Sequence, residues 1–119
     1  MKKITLLCLF TFTSYSFPLK EIVVNYDNGY SYKITYSGNF LTWLGLTGQD
    51  QGMSQTNKFG FYKLSEHIYL VRWIEQGNIS VHSRIDLKKK SVVSSIYVPG
   101  MEEEKGYFYP FLSGSYKGD

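Results

Sequence analysis

The chain of 119 residues is long enough for one small domain. It is rich in rings, with 11 tyrosines, 8 phenylalanines and 2 tryptophans, and it carries 13 basic against 10 acidic side chains. A formal charge of +3 makes a weak case for nucleic acid or an anionic membrane as partner, and a lone cysteine excludes an internal disulfide.

Met1-Lys2-Lys3 is a short cationic start, Ile4 to Phe12 an apolar run broken only by threonines, and Thr13 to Ser16 a polar exit of small residues. That order is the pattern of a secretory signal peptide over residues 1–16, and it predicts a periplasmic or secreted protein. The run is too short to persist as a membrane span, so no stable membrane anchor is expected after cleavage. Cys8 is a poor lipid-anchor site, because it lies inside the apolar run behind bulky Leu7. Cleavage would remove Lys2, Lys3 and the cysteine but no acid, so the mature chain, residues 17–119, loses two of its three excess positive charges. It also loses its only thiol.

The remainder reads as strands. Glu21 to Tyr26 and Tyr30 to Tyr36 flank Asp27-Asn28-Gly29, a strong hairpin signal. Ser37-Gly38-Asn39 turns the chain into Phe40 to Leu44. Gly45 to Asn57 holds three glycines and few large apolar residues, which predicts a long loop or a poorly regular edge with at most one short turn of helix. Lys58 to Leu64 resumes extended structure, and His67 to Glu75 is the cleanest strand signal of the chain. Along it Tyr69, Val71, Trp73 and Glu75 share one face, while Ile68, Leu70, Arg72 and Ile74 share the other. Ile79 to Leu87 alternates an apolar face with Ser80, His82, Arg84 and Asp86, a pattern expected of a solvated outer face. Lys88 to Lys90 turns into Ser91 to Val98, an acidic loop spans Met101 to Gly106, and Tyr107 to Leu112 is the last predicted strand. Pro110 confines that strand to an edge or an end. About eight strands joined by short turns predict an all-β protein, a small antiparallel up-and-down barrel. An eight-stranded barrel has room for side chains or one small ligand.

Few residues offer chemistry. If the Tyr69 and Trp73 face points inward, Glu75 lies near one mouth of an aromatic barrel, where desolvation would raise its pKa and suit it to general acid work. Tyr26, Tyr30, Tyr32 and Tyr36 cluster about the first hairpin and could offer phenols to a ligand. The two histidines stand 15 positions apart with no carboxylates in register, so no metal site is expected. Phosphate-binding loops, dinucleotide glycine fingerprints and serine elbows do not occur, and no cofactor is expected.

Three segments resemble a known family. Tyr26-Asp27-Asn28-Gly29-Tyr30-Ser31-Tyr32 is similar to the first hairpin of bacterial phenolic acid decarboxylases, Lys63 to Glu75 resembles their Lys-Leu-Thr-Glu-Gly-x-Tyr-x-x-Ser-Trp-x-Glu, and Ser95 to Pro99 resembles Thr-Ile-Phe-Phe-Pro. The wider kin are the small MoaF-like proteins, which implies a lipocalin-like (calycin) barrel. In the decarboxylases a buried glutamate protonates the substrate side chain, tyrosines orient a hydroxycinnamate and an arginine assists, without a cofactor. By that resemblance Glu75 matches the glutamate, Tyr26 one orienting tyrosine and Tyr32 a further pocket tyrosine. The partner of Tyr26 falls at Val24, which has no phenol, and no basic residue stands at Gln51 to Met53, where the arginine falls. These departures favour binding over catalysis. The expectation is a barrel that takes a small aromatic or apolar ligand among Tyr26, Tyr32, Tyr69, Trp73 and Glu75. The alternatives are a cofactor-free lyase with Glu75 as its general acid, and an envelope or host-interaction module that works through Arg84 and the lysine turn.

Overall fold

The computed structural model describes residues 16–100 and 105–119; the expected signal peptide up to residue 15 and most of the acidic loop lie outside them. Eight strands follow one another: β1 (Glu21–Tyr26), β2 (Ser31–Ser37), β3 (Phe40–Thr47), β4 (Ser54–Lys63), β5 (Ile68–Glu75), β6 (Ile79–Asp86), β7 (Ser91–Val98) and β8 (Tyr107–Gly118). Each pairs antiparallel with the next, and β8 returns to β1, which closes the barrel. Closure leaves the core strands without open edges, which a chain so rich in rings needs to stay free of edge-to-edge association.

The period-two patterning decides which side chains go in. Ile22 and Val24 of β1, Leu41 of β3, Val71 of β5 and Ile85 of β6 are almost completely buried, and their chain neighbours, apart from buried Asp86, are half-buried or exposed. Between β1 and β2 the turn closes through Gly29, whose positive φ of 92° explains the Asn-Gly pair. Its amide donates to the Tyr26 carbonyl at 3.0 Å.

One end of the barrel is stoppered by Phe17, which precedes β1. Phe17 packs its ring 4.6 Å from that of Tyr36 and between 5.2 and 5.7 Å from Phe59, Phe61 and Tyr69. These tilted and edge-on contacts are those that aromatic quadrupoles favour.

Two expected boundaries are corrected. The predicted loop Gly45 to Asn57 is mostly strand, because β3 runs on to Thr47 and β4 begins at Ser54. Its residues are polar, so the alternation of half-buried Gln55 and Asn57 with exposed Ser54 and Thr56 carries no hydropathy signal. The ladder is instead tied by pairs such as Thr42 and Thr56, whose hydroxyls lie 2.8 Å apart. Likewise β8 extends past Leu112 to Gly118. Only from Gly114 onward does it pair with β1; Tyr107 to Leu112 pair with β7 alone, an edge on which Pro110 needs no ladder hydrogen bond.

Candidate binding site

At the mouth opposite Phe17, four of the five sequence-selected residues come together. Glu75, the last residue of β5, is half-buried, and its carboxylate accepts a 2.9 Å hydrogen bond from Trp73 Nε1 on the same strand face. Trp43 of β3 directs its indole N–H toward the same carboxylate. The contact favours the ionised form, yet that N–H is buried and closes no hydrogen bond. A buried donor left unmade costs about 1–3 kcal/mol, so Trp43 holds a hydrogen bond in reserve.

Tyr26 reaches Ser94 with its hydroxyl, 2.7 Å from Oγ, and Ser94 in turn lies 2.8 Å from Ser83 Oγ. These three hydroxyls form a polar thread from β1 to β6 through the interior. Burial pushes the Tyr26 phenol up, and the nearby Glu75 charge adds to the effect. Tyr32 packs edge-on against both Tyr26 and Trp43, with ring centroids at 6.1 and 5.7 Å. Its hydroxyl donates to Asp50 Oδ2 at 2.7 Å, and burial followed by that bond drives its pKa far above the usual phenol range.

Asp50 is the residue that sequence reasoning missed. It belongs to the short 48–53 connection between β3 and β4, inside what reads as a featureless loop. That connection is held by backbone bonds from Gly45 N to the Met53 carbonyl and from Gly52 N to the Gly45 carbonyl, 2.8 and 2.9 Å. Gly45 has to be glycine: a Cβ there would fall onto the Asp50 carbonyl. Gly45→Ala is therefore expected to destabilise the fold by about 1–3 kcal/mol, as overpacking does, and to break the Tyr32–Asp50 bond. Urea unfolding reads the first effect, and a return of the Tyr32 phenol toward its ordinary titration range reads the second.

The environment of Glu75 follows. Burial raises its pKa most, the two indole N–H groups oppose that rise, and the Asp50 carboxylate reinforces it. Among the described residues, no lysine, arginine or histidine is one of the groups that act on it. Where the decarboxylase resemblance expects a guanidinium, the structure supplies a second carboxylate.

Tyr69 is separated from the others. It shares the inward face of β5 with Trp73 and Glu75, but six residues of strand, about 20 Å, place it beneath Phe17 at the far end. Tyr36 lies in that far group as well. Val24 points inward and is 1% exposed, which fills the position of the second orienting phenol with hydrocarbon. Of the outer group, His82 and Arg84 are exposed as expected, but Asp86 is not simply solvated. Its carboxylate accepts the backbone N–H groups of Lys88 and Lys89, both at 3.0 Å, and these bonds hold its pKa below the usual range.

A family model described as MoaF-like matches residues 19–109. The chain is also similar in structure to a protein from Burkholderia vietnamiensis provisionally described as a beta-lactamase, with a TM-score of 0.72 over 87% of this chain and 98% of that one. At 16% identity this is a likeness of fold. No curated protein sequence matches the chain significantly.

Proposed function

The chain belongs to the MoaF-like family, and from that membership and the chemistry around Glu75 we propose that it is an exported carrier or sensor that binds a small aromatic molecule beside Glu75. The observation that carries this reading is the Glu75 carboxylate set between two indoles, one bonded at 2.9 Å and one with its donor unspent. A barrel serving only as scaffold gains nothing from a half-buried carboxylate that has the Asp50 carboxylate beside it and, among the described residues, no cation acting on it. Trp43, Trp73, Tyr26 and Tyr32 supply ring faces, and faces of this kind attract cations as well as other rings. The preferred ligand is therefore an aromatic amine or a neutral ring compound, because Asp50 and Glu75 repel a carboxylate.

Both tryptophans of the chain belong to this site, so intrinsic fluorescence reads it without a label. Titration with phenethylamine, 2-phenylethanol and phenylacetate varies charge at nearly constant size. The amine is expected to bind about tenfold or more tighter than the acid, a difference of about 1.4 kcal/mol. No fluorescence change with any of the three would remove the binding reading.

The raised Glu75 pKa is what favours the lyase alternative, since a general acid needs its proton near neutral pH. Against it stand Val24 in place of a phenol and Asp50 in place of a cation. Incubation with p-coumaric acid is expected to leave its ultraviolet band intact; loss of the band that disappears with Glu75→Gln would establish the reaction. Export is tested by the mass of the protein recovered from the periplasm or medium. Cleavage after Ser16 leaves Phe17 as the first residue and preserves the aromatic stopper.

A further inference from the structure

Two open concavities of the described residues lie on the outside of the barrel. One, of about 890 Å3, is walled by Tyr62, Leu70, Arg84 and Phe111. A second, of about 530 Å3, adjoins it across Gly60, Arg72 and His82 and reaches Lys58. Among the described residues no carboxylate lines either one.

The sheet register explains how the surface is built. Two rows of outward residues cross the strands side by side. In the first, Tyr62, Leu70, Arg84 and Val93 are successive partners from β4 to β7; in the second, Gly60, Arg72, His82 and Ser95 are. Arg72 thus stands directly opposite His82, with Arg84 on the diagonal, close enough for like charges to repel. Neither arginine makes an ion pair among the described residues, and Asp86, which feels the charge of Arg84, accepts its hydrogen bonds from the lysine turn. In the second row Gly60 contributes no side chain, and a Cβ built there meets nothing within 4 Å, so the row opens into a trough. At the far side the β7–β8 ladder slips between Ser94 and Ile96, where Pro110 and Phe111 stand against Ser95 alone. Ser95 Oγ donates to the Pro110 carbonyl at 2.6 Å and pins the bulge. Bulges re-aim side chains, and this one throws Phe111 out to 82% exposure beside the trough.

We infer that this outer trough is a second binding site, for a small organic anion with a flat apolar or aromatic body. Arg72 and Arg84 take the carboxylate, sulfonate or phosphate group through fork-like N–H donors. Tyr62 and Phe111 flank the body of the ligand, and Leu70 and Val93 form its floor. The volume is in the range of small-molecule pockets. Its charge preference is the reverse of that at the Glu75 mouth, so the two sites are separable by ligand charge.

The probe is 1-anilinonaphthalene-8-sulfonate, an aromatic sulfonate whose emission rises on binding, with far-ultraviolet circular dichroism as the check on folding. The wild-type protein is expected to bind it, more weakly in 0.5 M salt. The Arg72→Gln, Arg84→Gln double variant, confined to exposed side chains, is expected to weaken binding at least tenfold. Gly60→Phe fills the trough from an unstrained strand position and is expected to abolish binding. The inference is overturned if the wild type gives no emission, if folded forms of both variants bind within twofold of wild type, or if Trp43→Phe removes binding while the two groove variants retain it.

Discussion

Phe17→Ala is expected to destabilise the protein by about 2–4 kcal/mol and to lower its thermal midpoint by on the order of 10 °C. The residue is half-buried and sits outside every strand, where truncation ordinarily costs little. Its ring, however, contacts four others that close one end of the barrel. Aromatic pairs contribute about 0.5–1.5 kcal/mol each beyond burial, and Tyr36 and Tyr69 beneath Phe17 have few other means of staying dry. Phe17→Leu is expected to recover about half the loss, because it restores apolar volume without the ring contacts. Phe111→Ala serves as the control: a ring of the same size, 82% exposed, whose loss is expected to change stability by less than about 0.5 kcal/mol. Urea titrations of chains beginning at Ser16 measure all three. Equal effects at Phe17 and Phe111 would show that the stopper does not hold the barrel together.

What the sequence disclosed and what it hid divide along one physical line. The alternation from Tyr69 to Glu75 is carried by large apolar residues against exposed ones, so the inward face of β5 is legible, and with it the setting of Trp73 and Glu75. The Asn28-Gly29 turn is legible because few residue pairs satisfy its dihedrals. The start of β4 is hidden because its inward residues, Gln55 and Asn57, are as polar as its outward ones. Asp50 is hidden for a related reason: its place beside Tyr32 depends on how a short connection folds back over Gly45, which no periodicity encodes. Tyr69 illustrates the opposite error. Period two tells which face a residue takes but not how far along the barrel it lies, so a shared face was no proof of a shared site. On the outer face, Gly60 in a strand and Pro110 before Phe111 were the available signals. A glycine there marks a missing side chain and a proline marks an edge or bulge, and together they bracket the trough.

Glu75→Gln is expected to change both the pH dependence of stability and the charge preference of the mouth. In the unfolded chain the carboxyl titrates near 4.3; in the folded barrel burial and Asp50 raise it. Between those two values the folded protein retains a proton that the unfolded chain has released, so wild-type stability falls as pH rises through that window and levels above the folded value. Glutamine cannot titrate. The wild-type stability measured relative to the variant is therefore expected to decline from pH 4 upward, a difference from which the contributions of groups not coupled to Glu75 cancel. The amide oxygen still accepts from Trp73 Nε1, which keeps the strand end in place. Binding isolates the charge in a second way. Loss of a charge-assisted hydrogen bond, about 1.5–3 kcal/mol, is expected to weaken phenethylamine about tenfold or more while leaving 2-phenylethanol within about twofold. A variant that keeps the full preference for the amine would transfer recognition to Asp50, and Asp50→Asn would then abolish it. A flat stability difference across the same pH range would mean that Glu75 is solvated in the folded protein, and a solvated carboxylate has no need of the unspent Trp43 donor or of a ligand to answer it.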